Sequence, residues 1–433
     1  DPAKQYAYAD GDGSVITYDE VATRMNDRGD ANNSIRVVEH THAMGGTNTC
    51  TACGFVCTEH QYENGVCAIC KAECPHANVD TSTRVCSDCG LTMVAAVTAR
   101  DSENGEVTTY AADLPAAMNA AVDGTTVTLL ADVSIPNRTG ISGDDTTVTL
   151  DLNGHKITSG WLDVGGKDTN GTYTACTLKI IGKGSYEPPM YGGIITVDVK
   201  ATLDLSEWEG GTISSINISD NSNYEAATRE AAVIVGPKAG TIGKLSFGNN
   251  QLDKLKKTKL SGGSFNEIWV ADFGPVKLGE LLADGYAYQY TDGVDRFVEY
   301  TKTLQGESIY NVKVVKCPHA DAEGGTCLYC GKTGIAAMVG SKTYDNVGTA
   351  VSEWLDGSVQ GTPKLFADYG EGFDANALDL ISAGTAWLAI DLNGHTFYQN
   401  CKNNITLGGG KRLTITDSKE KTGSQGAFGP IIA

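Results

Sequence analysis

Cysteine and histidine residues recur in this chain at spacings that suit metal binding. The segment "CPHANVDTSTRVCSDCG" begins at Cys74, and "CPHADAEGGTCLYCG" begins at Cys317. Each has a Cys-x-His opening and a Cys-x-x-Cys close. A Cys-x-x-Cys turn directs two thiolates at one ion about 2.3 Å away, and Cys-x-His supplies two further donors after a short loop. The pattern therefore predicts tetrahedral metal sites.

Two further copies of the pattern precede Cys74. Cys57-Thr-Glu-His60 is followed after six residues by a Cys-x-x-Cys, and "HTHAMGGTNTCTAC" has His40 where the other copies have Cys. That exchange leaves the donor count unchanged, because His and Cys both bind zinc. The predicted ligands of the four units are His40, His42, Cys50 and Cys53; Cys57, His60, Cys67 and Cys70; Cys74, His76, Cys86 and Cys89; and Cys317, His319, Cys327 and Cys330.

These sets predict four structural zinc ions. They use eleven of the 13 cysteines and five of the seven histidines. Four protein ligands leave no coordination position for water, as in structural zinc sites. Each unit has only about 15 residues, too few to fold on apolar burial, so metal binding would supply its folding free energy.

Disulfides are the competing interpretation, since they are natural in a secreted chain. However, the cysteine count is odd at 13, and interleaved histidines have no role in a disulfide framework. A redox-active Cys-x-x-Cys is a weaker alternative, because thiol exchange does not need four copies with matched histidines.

Charge and hydropathy exclude other classes of function. The net charge of -20 repels phosphate backbones and anionic lipid, so we expect neither nucleic-acid binding nor membrane insertion. No apolar run approaches the roughly 18 residues of a membrane-spanning helix.

The segments between the Cys/His units read as short β-strands. Stretches such as "TVTLDLNGHKI" and "GGIITVDVKATLDL" alternate apolar and polar residues, and they restart roughly every 17 to 29 residues after Gly, Asn or Asp. This favours a mostly β fold of right-handed parallel β-helix modules with small zinc-stapled Cys/His units between them. Helical patterns at 110–124, after Asp113, and at 346–357 are placed to cap the two modules.

The chain is internally duplicated. "DLNGH" at 151–155 returns at 391–395, and "GYAYQYTDG" near Tyr286 resembles "QYAYADGDG" near Tyr6. We therefore expect a chain that begins and ends inside repeats. The expected parts are the tail of a preceding repeat at 1–37, three zinc units at 38–90, a β-helix at 91–316, the fourth zinc unit at 317–331, and the start of a second β-helix at 332–433.

The remaining Cys and His residues have structural interpretations. In "DLNGH", Asn-Gly supplies left-handed backbone and Asp151 or Asp391 bonds turn amides, so His155 and His395 recur as turn residues. Cys176 and Cys401 are expected to be small buried side chains.

Several segments resemble large repeat-bearing surface proteins of Gram-positive gut bacteria (Firmicutes). The segments are "DLNGHKI", "LSGGSFNEI", the characteristic "LLADGYAY" and the Cys/His units, and the resemblance covers most of residues 40–433. It implies an extracellular, wall-attached chain, anchored by parts outside this sequence and monomeric within a longer surface chain. It also implies an adhesin that binds a host glycan or a host protein such as an immunoglobulin.

Catalysis is the main alternative to binding, because parallel β-helices also host polysaccharide lyases and glycoside hydrolases. Candidate carboxylates are Asp144 with Asp145, and Asp204 with Glu207 and Glu209. The Gly-His-Gly and Arg-Ile-Lys segments of polygalacturonases are absent, so we expect no enzyme. A pure stalk is a third possibility. For a binder, an aromatic platform of Trp161, Trp208, Trp269, Tyr286, Tyr288 and Tyr290 competes with coil packing as the role of these residues.

Overall fold

A computed structural model of the chain confirms the predicted fold class. The chain is mostly β, with 45% strand and 9% helix, and it contains a β-solenoid of about nine turns. It forms two compact units, 1–135 and 136–433. The structure describes residues 6–26, 35–40, 49–54, 56–58, 60–101, 105–166, 173–189, 193–218, 230–248, 257–272, 274–319, 322–323, 325–368, 387–397 and 412–418.

The first unit contains small antiparallel sheets. Strands β1, β2 and β3 form one sheet in the order β2-β1-β3, β4 and β5 form a hairpin, and β6 lies between β7 and β8. Asn64 and Gly65 turn the β4–β5 hairpin with positive φ values of 53° and 82°, as an Asn-Gly turn requires. The elements are β1 (Tyr6–Ala9), β2 (Val15–Ile16), α1 (Tyr18–Asn26), β3 (Arg36–Glu39), β4 (Tyr62–Glu63), β5 (Val66–Cys67), β6 (Ala95–Asp101), β7 (Gly105–Ala111), α2 (Leu114–Ala120) and β8 (Thr126–Leu129).

Helix α2 confirms the first helix predicted from the sequence, although it is shorter than the predicted 110–124. The Asp113 side chain caps it by accepting a 2.7 Å hydrogen bond from the Ala116 amide. Leu114, Ala117 and Met118 are buried, and α2 contacts β6 and β7. That α2 covers the first coil stays a prediction.

The second unit contains the main strand stack, a fourth Cys/His unit and a second, shorter group of strands. It also contains a 3-10 helix at Leu278–Leu281. Its elements are β9 (Arg138–Ile141), β10 (Thr146–Asp151), β11 (Lys156–Ile157), β12 (Trp161–Val164), β13 (Cys176–Ile181), β14 (Ser185–Tyr186), β15 (Ile195–Val197), β16 (Thr202–Leu205), β17 (Thr212–Ile218), β18 (Ala232–Val235), β19 (Thr241–Phe247), β20 (Lys259–Leu260), β21 (Ser264–Val270), β22 (Val276–Lys277), β23 (Tyr286–Tyr290), β24 (Thr303–Leu304), β25 (Glu307–Lys316), β26 (Ala322–Glu323), β27 (Thr326–Cys327), β28 (Ala337–Val339), β29 (Lys342–Tyr344), α3 (Val347–Leu355), β30 (Pro363–Leu365), β31 (Trp387–Asp391) and β32 (Arg412–Thr416).

Two parallel sheets form the main stack. One sheet runs β10-β13-β16-β18-β20, and the other runs β9-β12-β15-β17-β19-β21. The second sheet continues into β25 and then β23, which pair antiparallel. We call this second sheet, in the order β9-β12-β15-β17-β19-β21-β25-β23, the long sheet.

In-register aliphatic rows stabilise the stack. Val148, Leu178, Leu203 and Val233 occupy one register position on four successive strands, and each is fully buried. Burying such a side chain contributes roughly 1.5–3 kcal/mol. A one-residue slip would turn the whole row to solvent, so the alternating sequence fixes the register.

Ion pairs also join neighbouring coils. Each links side chains 23 to 31 residues apart in sequence, about one coil length. They are exposed or partly exposed, so each contributes at most about 1 kcal/mol, and their main effect is on register. The pairs are Arg138–Asp163, Lys156–Glu187, Lys179–Glu207, Lys238–Glu209, Lys244–Glu267 and Lys257–Glu230.

The duplication seen in the sequence is present in the fold. The second body starts with the β28–β29 hairpin, α3 and β30, where β30 pairs antiparallel with β28. The first unit has the same order in the β6–β7 hairpin, α2 and β8. Asn346 caps α3 through a 3.0 Å hydrogen bond from the Thr349 amide, so the second predicted helix is confirmed, over 347–355 of the expected 346–357.

The "DLNGH" segments form matching turns, as predicted. Asp151 accepts a 2.9 Å hydrogen bond from the Asn153 amide, and Asp391 accepts the equivalent 3.0 Å bond from Asn393. Both asparagines are left-handed, with φ of 47°, and the glycine after each also has positive φ. The turn chemistry of Asn-Gly therefore ends β10 and β31 in the same way.

Trp208 provides a test of the stack. Its side chain is fully buried, and its indole N–H donates a 3.0 Å hydrogen bond to the Gly184 carbonyl. We expect Trp208→Ala to lower the free energy of unfolding by about 3–5 kcal/mol, because it leaves a large cavity. The half-buried Trp161 is the matched control, and Trp161→Ala should cost much less. Equal shifts of the two denaturation midpoints would contradict this packing.

Candidate metal centres

The second Cys/His unit brings its four predicted ligands together. The ligand atoms of Cys57, His60, Cys67 and Cys70 all lie within 4.8 Å of one another. The sulfurs of Cys57 and Cys67 are 3.9 Å apart, and the Nδ1 atom of His60 is 3.2 Å from the Cys70 sulfur. The three cysteines are buried and the histidine is half-buried.

The third and fourth units have the same geometry. In the third, the Cys74 and Cys86 sulfurs are 3.8 Å apart, and His76 Nδ1 is 3.3 Å from the Cys89 sulfur. In the fourth, the sulfurs of Cys317 and Cys327 are 3.5 Å apart, and the imidazole-to-sulfur distance, between His319 and Cys330, is again 3.3 Å. Each set of four ligand atoms lies within 4.8 Å.

The first unit brings three of its four predicted ligands together. His40 Nε2 is 3.3 Å from the Cys50 sulfur, and Cys53 completes the described group. His42 lies outside the described residues. His40 faces Cys50 as Cys317 faces Cys327 in the fourth unit, so the structure places this histidine where the other units have cysteine.

These distances fit a tetrahedral cation. Sulfurs about 2.3 Å from one ion at tetrahedral angles are separated by roughly 3.8 Å. A disulfide would bring two sulfurs to about 2.05 Å, and none joins the cysteines in the described part of the chain. The four groups could therefore hold metal ions.

A left-handed residue closes every Cys-x-x-Cys turn. The residue after the second cysteine has φ between 61° and 76° in all four units. Its amide donates to the carbonyl of the first cysteine at 2.8–3.0 Å. This directs both sulfurs to one side of the turn. The four residues are Gly54, Lys71, Gly90 and Gly331.

Electrostatics within the second group oppose full ionisation without a cation. Burial raises the pKa of the Cys57 thiol to about 12. Burial also opposes ionisation of Cys67, but hydrogen bonds from the Cys70 amide and the His60 ring outweigh it and lower that pKa to about 6. In the third group the pKa of Cys74 is likewise raised to about 12, mainly by burial. A bound metal would take the place of the retained protons.

The fourth unit packs between strands of the main stack and the second body. Its Cys317 and Cys327 belong to a buried cluster that also contains Ala287 of β23, Met338 of β28 and Phe366. Backbone hydrogen bonds also tie the unit to the chain before and after it. The Cys317 amide donates to the Gly285 carbonyl at 2.8 Å, and the Ile335 amide donates to the Gly325 carbonyl at 2.9 Å. The fourth unit is thus a structural joint.

Tyr62 connects the second and third units, a role that we did not predict. It packs against the buried cysteines of both groups. Its ring stacks on that of His60, with centroids 5.5 Å apart. Burial raises the pKa of the Tyr62 hydroxyl. A tyrosine two residues after a ligand was the available sequence signal, but contacts between units are not visible in spacing.

The expectations for the other thiols and aromatics are partly met. Cys176 is buried, and burial raises its pKa to about 11, whereas Cys401 lies outside the described residues. Trp208 and Tyr288 are fully buried, so a surface platform that includes them is wrong. Trp161 stays half-buried, beneath the Arg138 guanidinium at 5.2 Å.

Trp269, Tyr286 and Tyr290 are the other half-buried aromatics of the expected platform. Lys244 lies over the Trp269 ring at 5.3 Å, and Arg296 lies over the Tyr290 ring at 5.1 Å.

The carboxylates considered for catalysis make turn and inter-coil contacts. Asp144 accepts a hydrogen bond from the Ala175 amide, and Asp204 accepts one from Ser206. Glu207 and Glu209 pair with lysines of neighbouring coils, as above, and Lys238 lowers the pKa of Glu209. Asp145 occupies a left-handed turn position, with φ of 51°.

Comparison with protein-family models, curated proteins and solved structures finds no match.

Within the described residues, no helix is both long enough and apolar enough to cross a membrane.

Lys71 provides a test of the turn geometry, because the other three units have glycine at its position. We expect Lys71→Gly to tighten metal binding in the second unit by about 1 kcal/mol, since a left-handed lysine is strained. Gly90→Lys is the matched control, because no atom lies within 4 Å of a Cβ there and only backbone strain is added. It should weaken the third unit by a similar amount. Chelator competition measures both, and changes of the same sign would contradict the interpretation.

Proposed function

We propose that this chain is a non-catalytic module of a bacterial cell-surface protein. Its Cys/His groups hold structural zinc, and its β-solenoid presents a binding surface to a host macromolecule. The observation that carries the proposal is the fourth unit, where a complete four-donor group is buried between two β bodies. A metal there stabilises the scaffold and has no position left for substrate.

The donor chemistry favours zinc. Sets of three thiolates and one imidazole suit a borderline-soft cation with tetrahedral geometry. Carboxylates, which calcium and magnesium prefer, are not among the ligand atoms of the four groups.

The long sheet supports the binding role. Asp163, Thr196, Asn217, Ser246 and Trp269 occupy one register position on five successive strands, where Ser246 is buried and the other four are half-buried. We call this the polar row. With strands about 4.8 Å apart, it extends over roughly 19 Å. Amide and hydroxyl groups that end at a tryptophan suit a sugar chain, which needs hydrogen bonds and a stacking surface.

Charge narrows the class of glycan. The net charge of -20 repels sulfated or sialylated chains. A neutral mucin-type glycan is therefore the first ligand to test, and immunoglobulin is the second. The alternative is a stalk that only separates other domains. The inter-coil ion pairs are equally consistent with a stalk, because they would stiffen it.

The zinc proposal predicts metal content. We expect about four zinc ions per chain in protein purified under reducing conditions. His40→Ala should lose one ion, and His40→Cys should keep all of them, because cysteine fills this position in the other units. Elemental analysis measures both variants. Disulfide-linked peptides among the ligand cysteines, with little bound metal, would contradict the proposal.

The binding proposal predicts that neutral mucin-type glycans bind at the polar row. Trp269→Ala should weaken binding at least about tenfold, as expected for an aromatic hot-spot contact. Thr177→Ala is the matched control, because Thr177 is half-buried on the other sheet, and it should leave the Kd unchanged. Titration on glycan arrays, with immunoglobulin in parallel, measures this. Absence of binding to either ligand would favour the stalk.

A further inference from the structure

The first unit contains a second copy of the strand pair that ends the main stack. Strand β1 pairs with β3 so that Tyr8 faces Val37, and β23 pairs with β25 so that Tyr288 faces Val314. The neighbouring pairs correspond as well, since Ala7 faces a valine of β3 as Ala287 faces one of β25. The two antiparallel pairs therefore have the same register.

Each strand pair also packs on a Cys/His unit in the same way. Ala7 belongs to a buried cluster with Cys50 and Cys53 of the first unit. Ala287 belongs to a cluster with the equivalent Cys327 of the fourth unit. The correspondence therefore covers the strand pair together with the Cys/His unit on which it packs.

The two copies differ in what covers the outer strand. Strand β25 has β23 on one edge and β21 on the other, and the Val314 amide donates a 3.0 Å hydrogen bond to Gly263 beside β21. Within the described part of the chain, β3 pairs with β1 alone and lies at the edge of its sheet. Val314 is 6% exposed, whereas its counterpart Val37 is 63% exposed.

We propose that the outer edge of β3, centred on Val37, is a docking surface for the terminal coil of another β-solenoid. The occupant is a coil of the kind formed by Lys259–Val270, carried ahead of Tyr6 on the same polypeptide. Its last strand pairs antiparallel with β3, as β21 pairs with β25. This inference does not depend on the proposed zinc or on the proposed ligand.

The internal copy identifies this occupant. An open strand edge that carries an apolar side chain can pair with a further strand. At the equivalent edge of β25, the strand that pairs is β21. In β25, Val312 and Ile309 are buried together with Val314 against the end of the stack. The surface therefore suits the end of a stacked coil, which supplies both a strand edge and an apolar interior.

An extended chain tests the proposal. Tyr6 and Tyr286 are 280 positions apart, so Asp1 corresponds to Leu281 in the internal copy. The extended protein therefore has a second copy of residues 91–280 fused directly before Asp1. Hydrogen exchange of the β3 amides is then compared between the original and extended proteins. We expect exchange at Val37 to slow by at least about tenfold in the extended chain, because the amide gains a strand partner. Equal exchange rates in the two proteins would overturn the proposal.

Substitutions make the test specific. Val37→Lys should leave the thermal stability of the original chain unchanged and should abolish the added protection in the extended chain. Val314→Lys should destabilise both proteins, because its site is already covered. If β3 instead becomes protected in the original chain as its concentration rises, the occupant is a second copy, and the proposal of a coil on the same polypeptide is wrong.

Discussion

In three of the Cys/His units, three thiols and one imidazole lie within 4.8 Å of one another, a spacing that fits one tetrahedral cation. Burial raises the pKa of the Cys57 and Cys74 thiols to about 12, so a metal that binds there would displace their protons. Besides the ligands, the second and third units bury few side chains, with the buried Met93 and the half-buried Tyr62 as the main additions. Under the proposed function, metal coordination takes the place of a hydrophobic core in these two units.

The β-solenoid is stabilised by different means, and the two kinds of structure complement each other. Fully buried aliphatic rows run across successive strands, and ion pairs at the surface join neighbouring coils. A stack of this kind has no fixed length, because every coil contacts only its neighbours. The fourth Cys/His unit lies where one stack ends and the next body begins, and it buries its thiols against both. Under the proposed function, coordination at this unit fixes a boundary that strand pairing alone would leave undefined.

The sequence predicted the features that depend on local chemistry. Ligand spacing identified which Cys and His side chains converge, and Asn-Gly identified the turns after β10 and β31. It did not predict contacts between elements distant in sequence. Trp208 follows β16 outside the strand alternation, so periodicity could not place it in the core. The packing of Tyr62 between two units was missed for the same reason, whereas coil packing was among the roles considered for the buried Tyr288.

Hydrogen exchange before and after metal removal tests the central claim most directly. The reduced 433-residue chain is compared with the same chain after chelation, and exchange is followed by mass spectrometry of its peptides. We predict that protection is lost in 57–93 and in 317–335 and is reduced at the adjoining Met338 and Phe366, while the strands from β10 to β21 stay protected. Unchanged protection in those two segments after the metal has been removed would contradict the claim that coordination holds them in place.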